Sequence, residues 1–238
     1  MAVVPAARTG FANGAAYDSV RPSYPASAVA AAGVTEPKLV VDLAAGTGKL
    51  TRVLKAMFPR VVAIEPSASM REASGEGIAG TAEAIPLRDD CADAVFVAQA
   101  FHWFDVPTAA AEIARVLRPG GTLAVLANHE RWHDDPWLVA VREVLAPYKR
   151  EARFPSGDGK WEDDVPATGR FAPWCRATFD HVLTLDRDGF VTLVSSYSWI
   201  ANLPDDERAQ VAVEIARLAP TSVRLRYETE VLTSVALE

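Results

Sequence analysis

The stretch Lys38–Gly48, KLVVDLAAGTG, decides the fold of this chain. Its first half, Lys38–Leu43, is an apolar run of strand length, and its second half contains two glycines that mark a turn. Beyond the turn, apolar residues recur with the period of one helical face, at Leu50, Val53, Leu54, Met57 and Phe58. A strand, a glycine turn and a helix in this order open a βαβ unit, which predicts a parallel sheet.

The rest of the chain continues the alternation of short strands and longer helices. Further strands are predicted at 61–64, 78–81, 92–98, 122–127, 179–185 and 224–235. Helices are predicted at 67–73, after Asp105, and at 136–148, 189–200 and 205–218. The segment 149–173 is rich in Gly, Pro and charge, which is typical of a surface connection. The last strand alternates apolar and polar residues, so we expect it to be half-exposed at an antiparallel edge.

Composition narrows the functional class. The 238 residues suit one large α/β domain or two small ones, and half of them are hydrophobic, enough for a sizeable core. A net charge of −7 argues against nucleic acid and anionic lipid as partners. The two cysteines form no framework, and no apolar run reaches the length of a membrane span or a signal peptide. We therefore expect a cytoplasmic protein, and nothing in the sequence indicates its oligomeric state.

Two acidic residues beside the glycine turn predict a nucleoside ligand. Glu65 ends the second strand, 23 residues after Asp42, where a carboxylate can accept hydrogen bonds from two ribose hydroxyls. Gly46 and Gly48 let the backbone approach the ligand, because no Cβ intrudes. The carboxylate of Asp42 would repel a pyrophosphate but attract an ammonium or sulfonium group. The charge therefore favours a cationic nucleoside such as S-adenosylmethionine over a nicotinamide dinucleotide.

Five segments in register resemble class I S-adenosylmethionine-dependent methyltransferases, and most closely their small-molecule type-11 group. These segments are 40–48, 61–66, 81–86, 93–105 with QAFHWFD, and 115–123 with RVLRPGG. The lead-in Tyr17–Pro25, YDSVRPSYP, is also similar to that group. The resemblance is strong over residues 11–128 and looser in the tail. One departure is Ala44, where the family usually has glycine and where a methyl group restricts the backbone.

The resemblance implies a fold and a domain organisation. The fold would be α/β and Rossmann-like, with a mostly parallel seven-stranded sheet, an antiparallel C-terminal hairpin and helices on both faces. A single methyltransferase domain would span residues 1–238. Within it, residues 1–34 would form an N-terminal lid, 35–128 the cofactor-binding core, and 129–238 a substrate-side insertion with the hairpin.

The resemblance also implies roles for individual residues. Asp42, Gly46 and Gly48 would hold the methionine end of the cofactor, and Glu65 its ribose. The complete set expected to contact S-adenosylmethionine is Tyr17, Arg21, Asp42, Ala44, Gly46, Thr47, Gly48, Glu65, Pro66, Ala82, Glu83, Gln99, Ala100, Phe101 and His102. In this set Ala82 and Glu83 would flank the adenine. The function implied is methyl transfer to a small molecule, with oxygen favoured over carbon or nitrogen as the acceptor atom.

His102 is the candidate catalytic residue. It lies just past a predicted strand end, where an imidazole can act as a base for an acceptor that arrives protonated. Equally, it can only pack beside the cofactor. The neighbouring Trp103 is a candidate wall for the substrate, although an aromatic residue at this place is also typical of a core.

The residues His129–His133, HERWH, match the HExxH pattern of zinc hydrolases. A helix would bring both imidazoles onto one face, but the motif directly follows a predicted strand and precedes a new helix start. We therefore expect no metal, and assign His129 and His133 to the substrate side of the cleft. The alternatives left open are a nicotinamide-dependent oxidoreductase, a zinc hydrolase using these histidines, and a binding protein without turnover.

Overall fold

A computed structural model describes residues 18–131, 135–149 and 161–237 of the chain. In these residues six strands form one sheet in the order β2-β1-β3-β4-β6-β5. The strands are β1 Val40–Leu43, β2 Val61–Ile64, β3 Ala92–Ala98, β4 Leu117–Glu130, β5 Cys175–Asp186 and β6 Ser222–Val235. The helices are α1 Ala26–Ala30, α2 Lys49–Met57, α3 Ala68–Ser74, α4 Val106–Val116, α5 Pro136–Lys149, α6 Trp161–Ala167, α7 Arg187–Ser195, α8 Ser198–Ala201 and α9 Asp205–Leu218, with a 3-10 helix at Phe101–Trp103.

The centre of the sheet is parallel, as predicted. Val41 on β1 pairs with Val62 on β2 and with Val95 on β3, and β3 continues in parallel with β4. All four residues of β1 are buried, because a parallel strand is covered on both faces. The C-terminal strands β5 and β6 add an antiparallel hairpin. The Rossmann-like α/β fold predicted from the sequence is therefore confirmed.

The chain divides into two compact units, which we call the larger and the smaller unit. The larger unit comprises Ser23–Asn128, Phe154–Phe179 and Thr229–Glu238, and the smaller unit comprises Met1–Pro22, His129–Arg153 and Asp180–Glu228. The core of the larger unit has two apolar clusters, with Val41 and Leu43 in one and Val40 in the other. The smaller unit has its own cluster, which includes Leu138, Phe190 and Ile215. A single domain divided at 34/35 and 128/129 stays a prediction.

The seven-stranded sheet is not confirmed. At the predicted strand 78–81, the structure has only isolated bridges, Ile64 to Ile78 in parallel and Thr81 to Ala84 antiparallel. Gly77, with φ +111°, precedes this segment, and Gly80 lies so close to Pro86 that a Cβ would approach its ring to 2.5 Å. Both glycines favour an irregular turn over an extended ladder.

Three further expectations need correction. The segment 149–173, expected to be a surface connection, contains helix α6. The proline and the acidic residues that indicated a connection lie within this helix. The predicted helix 189–200 is two helices, α7 and α8, because Tyr197 between them has an extended backbone. The last strand, β6, is not an edge strand, because it lies between β4 and β5. The edge is formed by β5, in which no residue is fully buried.

Candidate active site

The loop between β1 and α2 takes three residues into the left-handed region of backbone conformation. Ala44 has φ +57°, Gly46 has φ +58° and Gly48, the residue before α2, has φ +79°. Nothing lies within 4 Å of the place where a Cβ on Gly46 would stand, so this side of the loop is open. Ala44 adopts the same conformation with a side chain, which costs about 1–2 kcal/mol relative to a right-handed residue. The glycine that the family usually has at this position would avoid that strain.

Asp42 is the buried carboxylate at the end of β1. It lies two residues after Val40, on the same face of the strand, and this face is covered by α2, where Thr51 donates a hydrogen bond to its Oδ2 at 2.5 Å. Its Oδ1 is buried without a hydrogen-bond partner. Burial raises the pKa of Asp42 from 3.8 to about 7, and the nearby charge of Glu65 adds to this rise. A buried acceptor of this kind is costly unless a donor or a cation reaches it.

Glu65, directly after β2, joins the second strand to the glycine loop. Its Oε2 accepts a hydrogen bond from the backbone N–H of Gly46 at 2.9 Å, and its Oε1 accepts one from Ser67 at 2.8 Å. Burial raises the pKa of Glu65, and these backbone donors and the charge of Arg71 oppose the rise. A carboxylate offers about four lone-pair positions. Two donors therefore leave capacity for further hydrogen bonds.

Arg115 on α4 holds the loop that contains Ala82 and Glu83. Its guanidinium donates to the carbonyl of Ile85 at 3.0 Å and to that of Leu87 at 2.9 Å. Glu112, which pairs with Arg115, accepts a hydrogen bond from the backbone N–H of Ile85. This clamp gives a structural role to the first arginine of the RVLRPGG segment, which sequence reasoning left without one.

The carboxyl ends of β3 and β4 meet through Gln99 and Asn128. Gln99 has φ +54°, and its side-chain Nε2 donates to the carbonyl of Asn128 at 2.9 Å. Asn128 in turn donates to the carbonyl of Ser23 and accepts from the hydroxyl of Thr229. Left-handed backbone at a residue other than glycine often marks a functional position. Sequence reasoning missed Asn128, although a polar residue at a strand end was a usable signal.

His102 lies in the 3-10 helix that follows β3. Burial lowers the pKa of its imidazole from 6.5 to about 4, so the ring is neutral at pH 7. The ring of Trp103 stands 5.2 Å from it, between centroids. Phe101, which is fully buried, packs against Trp161 at 4.7 Å. The segment thus combines a neutral hydrogen-bonding group with an aromatic surrounding.

The remaining candidates lie in several places. Thr47 is buried in the glycine loop, Pro66 accepts a hydrogen bond from Arg71, Ala82 is buried, and Ala100 packs against the core. The carboxylate of Glu83 accepts a hydrogen bond from the backbone N–H of Asp105. Arg21 belongs to the smaller unit, and His129 is exposed near the end of β4. Tyr17 and His133 lie outside the described residues. The cofactor and substrate roles of all these residues stay predictions.

Among residues 18–131, 135–149 and 161–237, no three His, Cys, Asp or Glu side chains come together as a metal site would require. The zinc motif can be followed only in part, since His129 and Glu130 end strand β4 while His133 is not described. Within the same ranges, no helix has the length and apolar character needed to span a membrane.

Comparison with known proteins identifies the family. A profile described as a methyltransferase domain matches residues 41–125. An uncharacterized methyltransferase-like protein of Schizosaccharomyces pombe is 33% identical over 232 residues, covering 88% of this chain and 85% of its own. A Mycobacterium bovis methyltransferase, also uncharacterized, is 37% identical and covers 87% of this chain and 83% of its own.

A solved structure supports the same conclusion at the level of the fold. A candidate type II methyltransferase from Anaeromyxobacter dehalogenans superimposes with a TM-score of 0.66 at 21% identity, covering 90% of this chain and 97% of that one. Its similarity concerns the fold, while the two sequence relatives establish kinship over most of their length. The chain belongs to the class I S-adenosylmethionine-dependent methyltransferases.

Proposed function

We propose that this enzyme transfers a methyl group from S-adenosylmethionine to an oxygen atom of a small-molecule acceptor. The observation that carries the proposal is the neutral, largely buried imidazole of His102, directly after β3 and beside Trp103. A neutral imidazole can accept a hydrogen bond from a hydroxyl, whereas an imidazolium cannot. The methyltransferase activity itself follows from the family.

The residues of the glycine loop fit S-adenosylmethionine. The unpartnered Oδ1 of Asp42 provides a buried acceptor for the positively charged methionine end, and the open side of Gly46 provides room for it. The lone pairs that remain on Glu65 suit the ribose hydroxyls. The loop clamped by Arg115 would place Ala82 and Glu83 against the adenine. These assignments follow the predicted roles, and the geometry above is compatible with each.

Methyl transfer from a sulfonium requires the protein to position the two reactants and to exclude water from them. When bound, S-adenosylmethionine supplies a methyl group on a sulfonium, which is already an activated leaving group. The acceptor oxygen gains this methyl group and loses its proton. His102 would orient the hydroxyl by accepting its hydrogen bond, and with a pKa of about 4 the imidazole would pass the proton on to water at pH 7.

A small molecule is the acceptor class that the charge favours. The net charge of −7 opposes binding along a nucleic-acid backbone, which generally requires a basic face. Two of the three alternatives from the sequence, the oxidoreductase and the zinc hydrolase, gain no support. An oxidoreductase would place a pyrophosphate near the buried Asp42, and a zinc hydrolase would require a ligand cluster that the described residues do not form.

Identification of a labelled product tests this proposal. The protein would be incubated with S-adenosylmethionine carrying a ¹³C-methyl group and with a metabolite extract, and labelled products would be analysed by mass spectrometry and NMR. We expect a methyl ether or ester, whose methyl carbon has a chemical shift distinct from that of N-methyl or C-methyl groups. The His102→Ala variant should form less product while binding S-adenosylhomocysteine. A product labelled on nitrogen or carbon, or no labelled product at all, would refute O-methylation.

A further inference from the structure

A hydrogen-bond network beside the carboxyl ends of β3 and β4 contains a buried hydroxyl that the predicted roles do not use. The hydroxyl belongs to Thr229 on β6, a residue that is 0% exposed. It donates to Oδ1 of Asn128, near the end of β4, at 2.5 Å. Asn128 is bonded in turn to Ser23 and Gln99. We call these four residues the Asn128 network, and all of them belong to the larger unit.

The donors and acceptors around Asn128 fix the orientation of its side-chain amide. The backbone carbonyl of Ser23 can only accept a hydrogen bond, so the Nδ2 group of Asn128, 3.2 Å away, must face it. Oδ1 then faces Thr229, whose hydroxyl must donate. A buried hydroxyl therefore holds the side chain of Asn128 from 101 positions further along the sequence.

Asn128 holds Gln99, the residue that follows β3. Nε2 of Gln99 donates to the backbone carbonyl of Asn128 at 2.9 Å, and the backbone N–H of Gln99 donates to the carbonyl of Leu126, also at 2.9 Å. Gln99 has φ +54°, and a residue other than glycine keeps such a backbone only where its surroundings impose it. Both of these hydrogen bonds come from β4, so this strand imposes the turn at Gln99.

The turn at Gln99 lies where this class of sheet binds ligands. The strand order is β2-β1-β3-β4, so the order reverses between β1 and β3. Open α/β sheets bind their ligands in the crevice at this point, outside the carboxyl ends of the strands. Leu43, the last residue of β1, pairs with Val97, two residues before Gln99. After the turn, the chain enters the 3-10 helix that contains His102.

We propose that Thr229 and Asn128 are positioning residues for methyl transfer. Thr229 fixes Asn128, and Asn128 fixes the turn at Gln99, where the predicted cofactor contacts of residues 99–102 begin. Neither Thr229 nor Asn128 is assigned a contact with the cofactor. The inference rests on the predicted contacts of residues 99–102 with S-adenosylmethionine, and it does not depend on which atom of the acceptor is methylated.

Two substitutions of Thr229 separate this role from simple packing. Thr229→Val nearly keeps the shape of the side chain and removes the hydroxyl, whereas Thr229→Ser keeps the hydroxyl and removes a methyl group. The dissociation constant of S-adenosylhomocysteine would be measured for both by isothermal titration calorimetry. We expect Thr229→Val to bind about three- to tenfold more weakly, as for one lost hydrogen bond, and Thr229→Ser to bind like wild type. A side chain that only fills space would give the opposite order.

Asn128→Ala is the second variant, at a position that is only partly buried, and it keeps the test decisive where Thr229→Val does not fold. It should weaken binding at least as much as Thr229→Val. The double variant should bind no more weakly than Asn128→Ala, because the hydroxyl of Thr229 acts through Asn128. Thr233→Val, a partly buried threonine on the same strand, is the matched control and should keep the wild-type affinity.

The side-chain amide of Gln99 provides a spectroscopic readout. Its ¹H–¹⁵N signals, identified by their absence in Gln99→Glu, should shift in Thr229→Val and Asn128→Ala and stay in place in Thr229→Ser and Thr233→Val. Unchanged Gln99 signals or wild-type affinity in Thr229→Val, weaker binding in Thr229→Ser than in Thr229→Val, or additive losses in the double variant would overturn the inference. A product methylated on nitrogen or carbon would refute O-methylation and leave these affinities unaffected, so the two proposals fail separately.

Discussion

The two units present carboxylates in opposite ways. In the larger unit, Asp42 and Glu65 are buried and are held by a hydroxyl and by backbone N–H groups from nearby in the sequence. In the smaller unit, Glu130 is exposed and receives its hydrogen bond from Tyr197, 67 residues away. Buried acidic groups with an unpartnered oxygen suit a cationic ligand, which stabilises their charge. The difference indicates that the carboxylates of the larger unit, rather than Glu130, are suited to the cationic cofactor.

The largest effect on affinity is expected at Glu65. Glu65→Gln removes the charge that strengthens hydrogen bonds to the ribose hydroxyls, so binding of S-adenosylhomocysteine should weaken by roughly 1.5–3 kcal/mol. Isothermal titration calorimetry measures this change, with the exposed Glu72→Gln on α3 as the matched control. Equal affinity of wild type and Glu65→Gln would show that the ribose assignment is wrong.

The next effect concerns pH and Asp42. Binding of a cation favours the ionised form of Asp42, whose pKa is about 7 without ligand, so cofactor binding should release a proton near neutral pH. Affinity for S-adenosylmethionine should therefore increase by about tenfold between pH 6 and pH 8. Asp42→Asn should abolish most of this dependence, as measured by calorimetry across that range. A steeper or unchanged dependence in Asp42→Asn would exclude this carboxylate as its source.

The pH dependence of folding stability has the opposite sign to that of cofactor binding. The folded protein binds more protons than the unfolded chain between the ordinary pKa of 3.8 and about 7. Stability of the protein without ligand should fall as the pH rises through this window, and Asp42→Asn should flatten the decline. Denaturant unfolding at several pH values provides the control for the binding data, because it contains no cofactor.

A smaller effect is expected at Ala44. Replacement by glycine removes the left-handed strain, which stabilises the folded state by about 1–2 kcal/mol. It also gives the unfolded chain more conformational freedom, which lowers the free energy of unfolding by about 0.4–1 kcal/mol. Ala44→Gly should thus unfold about 1–3 °C above wild type. The neighbour Ala45 does not have positive φ, so Ala45→Gly should unfold below wild type. A lower temperature for Ala44→Gly would show that its methyl group contributes packing that outweighs the strain.

The smallest effect is expected when the protonation of His102 is followed between pH 8 and pH 5. Because burial lowers its pKa to about 4, the imidazole stays neutral between pH 8 and pH 5. The ring signal that disappears in His102→Gln should therefore keep its chemical shift over this range in an NMR titration. A midpoint near 6.5, the ordinary value, would place His102 in contact with water and remove the basis for its role.

The sequence predicted the parts of the molecule whose determinants are local. β2 and β3 have the predicted bounds, and the turn at Gly46 was recognisable because glycine, strand and helix follow one another. At 78–81 the structure has isolated bridges in place of the expected strand, and Gly80 packs closely against Pro86, six residues further along. The hydrophobic pattern of a short segment does not report its contacts with residues outside that segment.

The same limit explains the side chains that sequence reasoning missed. Arg115 reaches carbonyls 28 and 30 residues away, and Arg21 meets Ser196 across 175 residues. No periodicity or spacing reports these pairs, since the fold alone brings them together. Glu130 was inspected only as part of a zinc motif, and its partner Tyr197 gave no signal beyond being aromatic.

The central claim is that the buried carboxylates of the larger unit bind the cofactor. One set of titrations tests it directly, with S-adenosylhomocysteine added to wild type, Glu65→Gln and the exposed control Glu72→Gln. The account predicts that Glu65→Gln binds S-adenosylhomocysteine more weakly than wild type and that Glu72→Gln binds it equally well. Equal affinity of all three proteins would contradict the account.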